Sequence, residues 1–200
     1  MIDNPDLVIP EAEGAALVAT AREAIASKLE ARPPRWPAAG PSLSAKAGAF
    51  VTLRTGADPG SNLRGCIGRM SSEEPLLRTV RDMALAAAFE DPRFPPLEKG
   101  ELAEVSVEVT VLSPMREIGD VGEIVLGRHG VLMTKGGRSA VFLPQVAAEQ
   151  GWNREELLDN LCYKAGLSPQ AWRSEDAKFY VFEGLVLEER GPLTFGRSAS

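Results

Sequence analysis

The stretch from Glu104 to Val111 restricts the fold more than any other. Val105, Val107, Val109 and Val111 alternate with Glu104, Ser106, Glu108 and Thr110. Successive strand side chains point to opposite faces, so this pattern predicts a half-buried antiparallel strand with one polar face. Around it, Leu17, Val18, Ala21, Ala24, Ile25 and Leu29 recur at three- and four-residue steps, which predicts an amphipathic helix over 11–31. A second helix runs to about Phe89 with Leu76, Leu77, Val80, Met83, Ala84 and Ala87 inward. Asn153 with Glu156 starts a third, which Gly166 closes. Further strands are read over 49–54, 62–68, 124–126, 131–134, 139–142 and 177–189. Helices and strands mix without regular βαβ alternation, so the expected class is α+β, mainly antiparallel sheet flanked by helices.

Punctuation divides the chain. Pro33, Pro34, Pro37 and Pro41 predict a long extended connector, with Trp36 pinning it to the core. Residues 55–60 read as a turn that folds the Cys66 strand back as a hairpin. Ser71 with Glu74 has capping-box spacing ahead of Pro75, and Asp91-Pro92 stops the helix that follows. Leu143-Pro144-Gln145-Val146 is expected to end a strand. Residues 1–10 and 190–200 are expected to be loose.

Two hundred residues allow one domain, or one domain with a lobe, and suffice for a hydrophobic core. A net charge of −6 and a pI near 5.0 argue against a general phosphate-binding surface, so nucleic acid is not an expected partner. Two distant cysteines make no disulfide framework and point to a reducing cytosol. Asp3 and Asp6 near the start, with Arg22, Glu23 and Lys28 interrupting the alanine-rich stretch, fit neither a signal peptide nor a membrane span. No Cys-x-x-Cys, histidine-rich metal spacing, three-cysteine cluster, P-loop or dinucleotide fingerprint occurs, so neither a metal nor a cofactor is expected on this chain.

The densest candidate chemistry lies in Asn62-Leu63-Arg64-Gly65-Cys66-Ile67-Gly68. Counting by two, Leu63, Gly65 and Ile67 share one face, and Arg64, Cys66 and Gly68 the other. An arginine beside a thiol favours the thiolate, and Gly65 and Gly68 would let a ligand approach the backbone. Arg64 and Arg69 are the candidate helpers of a Cys66 nucleophile; the alternative is a small buried residue in a tight hairpin. His129, the single histidine, lies in a glycine-flanked turn and is expected to titrate near neutral pH. It is the candidate partner of Cys66, and Glu108, on the polar strand face, is the candidate orienting or acid–base carboxylate. Gln145 is a candidate ligand contact. Glu90-Asp91, where the second helix ends, could likewise orient a histidine or hold a substrate amine; otherwise Asp91 and Arg93 read as a helix stop tied together by charge, and Cys162 as core.

Leu63-Arg64-Gly65-Cys66-Ile67-Gly68 resembles the six-residue signature of the AMMECR-type domain, also known as protein A of the AmmeMemoRadiSam set. Asp91-Pro92-Arg93-Phe94, Leu112-Ser113-Pro114, Gly127-Arg128-His129-Gly130, Leu143-Pro144-Gln145-Val146, Trp152 and Lys164-Ala165-Gly166-Leu167 follow in the order found in that family. The resemblance spans roughly residues 15–189 of a single domain. It implies a smaller lobe, placed at about 115–150, with a cleft between lobes as the default ligand site. It also implies a modification system shared with a Memo-like, extradiol-dioxygenase-related protein and a radical SAM protein. Two readings follow: a cytoplasmic enzyme component with a reactive Cys66, or a non-catalytic binding or scaffold module in the same system.

Overall fold

The computed structural model describes residues 8–56 and 62–189. The expected lead-in over 1–7, the tip of the turn over 57–60 and the tail over 190–200 lie outside these residues. Among the described residues the chain forms four α-helices and two four-stranded antiparallel sheets, an α+β architecture. The helices are α1 (Glu11–Leu29), α2 (Leu76–Phe89), α3 (Pro144–Gln150) and α4 (Arg154–Lys164). The strands are β1 (Ala49–Thr55), β2 (Asn62–Arg69), β3 (Val105–Leu112), β4 (Arg116–Ile118), β5 (Gly130–Lys135), β6 (Arg138–Phe142), β7 (Lys178–Phe182) and β8 (Gly184–Glu188). Among the described residues they group into two compact units, one of residues 8–56, 62–111 and 186–189, the other of residues 112–185.

In the first unit the sheet order is β2-β1-β3-β8. The alternation read in Val105–Val111 is realised in its first half: all four valines are buried, Ser106 is exposed and Glu108 is half-buried, but Thr110, on the same face, is buried. Ala49, Val51 and Leu53 of β1 join the buried set, as do Leu17, Ala21 and Ile25 of α1 and Leu76, Val80 and Ala84 of α2. Helix α2 packs on α1 and on β1 and β2. Arg22 of α1 ties the unit together: its guanidinium donates to the carbonyls of Leu102 (2.8 Å) and Val105 (2.6 Å) and pairs with Glu189.

In the second unit the order is β4-β7-β5-β6. Its core joins Ile118, Met133, Phe179 and Val181 of the sheet to Ala147 of α3 and Leu157, Leu158, Leu161 and Cys162 of α4. Asn153 and Glu156 close a reciprocal capping box on α4, and Gly166 follows the helix with φ +70°, as the sequence predicts.

Five local expectations differ from the structure. The segment 177–189 is two strands in different sheets, because the chain leaves β7 at Glu183 and re-enters the first sheet at Gly184. Residues 124–126 form no strand; a short 3-10 turn over Val121–Glu123, capped by the Asp120 side chain, precedes them, and β4 supplies the strand instead. Leu143-Pro144-Gln145-Val146 starts α3, with Pro144 in the first turn, where its missing N–H costs nothing. Ser72, not Ser71, organises the start of α2: its hydroxyl accepts from Glu74 N (3.1 Å) and from Thr79 Oγ1 (2.8 Å). Trp36 is 46% exposed and does not pin the connector. The Glu23 carboxylate holds that segment, accepting from Arg32 (3.0 Å to Nη2) and from Arg35 N (2.5 Å); Arg32 draws its pKa down to about 2.

Candidate functional site

The polar face of the first sheet carries the chemistry. Pairing register sets Cys66 of β2 opposite Thr52 of β1, and Thr52 opposite Glu108 of β3. Three polar side chains therefore form one row across three strands. The backbone N–H of Cys66 donates to Asp91 Oδ2 (2.9 Å), and its C=O accepts from Arg93 Nη2 (3.1 Å). Both main-chain groups thus point away from β1, which makes Cys66 and Thr52 a non-hydrogen-bonded cross-strand pair, the kind whose side chains lie closest. The Thr52 hydroxyl accordingly donates to Cys66 Sγ at 3.4 Å. Thr52 is buried and Cys66 is partly accessible.

Arg64 and Arg54, on the strands of this row, each face a carboxylate. Arg64 forks onto Glu101, Nε to Oε1 at 2.7 Å and Nη2 to Oε2 at 2.9 Å, and its Nη1 reaches the carbonyl of Pro95 at 3.0 Å. That hydrogen-bonded pair raises the pKa of Arg64 and lowers that of Glu101. Arg54 Nε lies 4.0 Å from Glu108 Oε2. Arg69 is exposed at the end of β2. The expected open space beside the two glycines is filled by protein. A Cβ at Gly65 would overlap the carbonyl oxygen of Ala87 in α2, and one at Gly68 would overlap the ring of Phe50, its cross-strand partner.

Asp91 is the most perturbed group at the site. Its side chain is 2% exposed, and Arg93 contacts both carboxylate oxygens, Nε to Oδ1 at 2.9 Å and Nη2 to Oδ2 at 2.7 Å. The Arg93 hydrogen bonds hold the carboxyl far below its ordinary range, against the opposing effect of burial; the N–H groups of Cys66 and Arg93 add to the lowering. The sequence offered Asp91 as a helix stop and as a carboxylate for a histidine or a substrate amine, not as a partner of the Cys66 main chain. The signal of the pair was present in the Asp-Pro-Arg spacing, but nothing local ties that turn to Cys66. Thr52 was missed as well, although its place in the period of 49–54 puts it on the polar face.

His129 and Gln145 belong to the second unit. Gln145 is half-buried in the first turn of α3. The side chain of His129 is 12% exposed, less open than its glycine-flanked turn predicts. Val125 N–H donates to Nδ1 at 3.2 Å, so the neutral ring carries its proton on Nε2, which lies 3.9 Å from Glu183 Oε1. Burial is the main cause that lowers the pKa of His129. Glu183 and a hydrogen bond with the Glu123 backbone oppose the shift, while Arg128 and Arg116 reinforce it. Arg128 Nε holds the same Glu183 oxygen at 2.9 Å, and Glu183 N–H donates to Ser113 Oγ at 2.9 Å.

No group of three or more metal-ligating side chains occurs among the described residues, and no helix there is long and apolar enough to cross a membrane.

The row has chemical limits. Thr52 can stabilise negative charge on Sγ by hydrogen bonding. The Cys66 amide, committed to Asp91, is not an oxyanion donor. Comparison with known proteins places the chain in a family. Protein MK0488 of Methanopyrus kandleri is 41% identical over 193 residues, covering 90% of both chains. Protein PH0010 of Pyrococcus horikoshii is 42% identical over 193 residues, covering 90% of this chain and 93% of its own. The crystal structure of that uncharacterized protein superposes with a TM-score of 0.80 at 39% identity, over 91% of this chain and 94% of the other. The AMMECR1 family model matches residues 18–187, and the chain belongs to the AMMECR1 family.

Proposed function

We propose that this AMMECR1-family protein is a cytosolic enzyme, or a component of one, that uses the Cys66 thiol as a nucleophile. One observation carries the reading: a buried threonine hydroxyl donates to a partly accessible sulfur on the polar face of a rigid sheet. Attack by a thiol requires loss of its proton and stabilisation of the sulfur charge. Thr52 meets the second need. Glu108, aligned across Thr52, is the candidate proton acceptor or holder of a substrate amine. The amide of Cys66 is occupied, so a carbonyl substrate would draw its oxyanion donors from elsewhere. The family resemblance supports a substrate shared with a Memo-like protein and a radical SAM protein, whose chemistry would complete the modification.

A scaffold reading has one observation in its favour: Arg64, the cation two residues before Cys66, is held by Glu101. Complementation separates the two. A host lacking the protein is supplied with wild type, Cys66→Ser or Cys66→Ala. Failure of both variants to complement, each melting within a few degrees of wild type, is the expected result. Full complementation by Cys66→Ala, with a partner still recovered on that variant, would overturn the enzymatic reading for the scaffold.

A further inference from the structure

Strand β2 is an edge of its sheet, so the outward N–H and C=O groups of alternate residues have no strand to pair with. At Cys66 both groups are nevertheless satisfied, by side chains two residues apart: Asp91 accepts from the N–H at 2.9 Å and Arg93 donates to the C=O at 3.1 Å. The two are locked to each other through both carboxylate oxygens, and Arg93 N–H adds a third contact to Oδ1 at 3.1 Å. The pair thus occupies one residue's worth of the next strand position.

The route that delivers it is also specific. Gly65 has no Cβ, and the carbonyl of Ala87 sits where one would be, so the last turn of α2 lies directly on β2. Four residues beyond Ala87 the chain reaches Asp91. Phe94 N–H returning to the Asp91 carbonyl (3.1 Å) and Leu97 N–H returning to the Ala88 carbonyl (2.7 Å) fix the turn. Helix, turn and strand edge converge on a single residue, the one that bears the accessible thiol.

We infer that Asp91 and Arg93 are positioning residues for Cys66: a two-point clamp on its main chain that fixes the orientation of Sγ toward Thr52. This rests on the reading of Cys66 as the reactive group. A strand edge needs no such device for stability alone, because water satisfies exposed edge groups at little cost. Here a carboxylate is buried and paired to hold one amide. Arg93 also brings its guanidinium to the Cys66 carbonyl while remaining 53% exposed, so it can be replaced without opening a core.

The test measures the second-order rate of Cys66 alkylation by iodoacetamide across pH 6–9 in a Cys162→Ala background, for wild type, Arg93→Gln, Arg93→Lys and Asp91→Asn. Folding of each is checked by near-UV circular dichroism. The expected result is a rate change of about tenfold with a displaced pH profile in Arg93→Gln, as misorientation of a reacting group produces. Arg93→Lys should restore at least part of the rate. Arg93→Gln leaves the buried Asp91 carboxylate without its cation and is the variant most prone to misfold; Asp91→Asn, which removes that charge, keeps the test decisive if it does. A reactive wild type whose rate and profile survive Arg93→Gln unchanged would overturn the clamp alone. An inert wild-type thiol would overturn the reading of Cys66 and the clamp with it.

Discussion

Arg64 and Glu101 close a two-point ion pair, with Nε to Oε1 at 2.7 Å and Nη2 to Oε2 at 2.9 Å. The cation two residues before Cys66 is thereby committed to the short 3-10 turn over Lys99–Glu101. Its role in this account is to hold that turn against β2. Arg64→Ala is predicted to cost about 2 kcal/mol of stability, the scale of a part-buried, charge-assisted pair. Cys66 alkylation should stay within about twofold, since the clamp on its main chain remains. Urea denaturation and alkylation on the same preparation check both halves.

Asp91 links the clamp to acid stability. Its folded pKa lies below its unfolded value of about 3.9, so the folded state binds fewer protons near that pH. The stabilisation is complete above pH ~4 and is lost as pH falls further toward the folded value. Asp91→Asn should therefore flatten the loss of stability between about pH 4 and pH 2. Asp91→Ala leaves Arg93 and the Cys66 amide without their partner and should cost about 3 kcal/mol at neutral pH. Denaturant titrations at stepped pH read both.

His129 sets a second, milder pH dependence. Its folded pKa is below the unfolded value of about 6.5, chiefly through burial. Protonation therefore favours the unfolded chain: the contribution is full above about pH 6.5 and declines as pH falls from there toward the folded value. The cation would also lose the bond from Val125 N–H to Nδ1. His129→Asn should remove this part of the slope of Tm against pH between about 5 and 7. A slope identical to wild type would contradict the assignment.

Much of this was legible in the residues, and the failures have physical reasons. Period-two alternation in 105–111 placed Glu108 on the polar face, and the Asn153/Glu156 spacing marked the start of α4, because both signals are local. The partner of Cys66 was not local. Thr52 meets it through strand register, and Asp91 meets it through the packing of α2, which only the absent side chain of Gly65 permits. Residues 177–189 read as one strand because both halves are apolar and β-prone; the break falls at Glu183, whose carboxylate and N–H are held by Arg128 and Ser113. Proximity in sequence suggested Arg64 as the helper of the thiol, but guanidinium groups go to the nearest carboxylate fork, here Glu101.

Gly65 should be intolerant of any side chain. Gly65→Ala drives a Cβ into backbone, the Ala87 carbonyl, so relief requires the strand and helix to separate, at a cost of about 3 kcal/mol. Gly68→Ala meets the Phe50 ring and also the Ala49 carbonyl oxygen, so it is destabilising too, but its backbone overlap is looser than that of Gly65 and it should cost less. Thermal denaturation of the two variants side by side gives the order.

The central claim is that Cys66 is a reactive group and not a packing residue. The direct measurement is the alkylation rate of Cys66 in the folded Cys162→Ala protein, compared with the same protein in denaturant and with a Thr52→Val variant, which removes the hydroxyl that donates to Sγ. The account predicts that the folded protein reacts at least as fast as the unfolded chain at pH 7.5, and that Thr52→Val slows it about fivefold or more. Slower reaction in the folded state than in denaturant, unaltered by Thr52→Val, would contradict it.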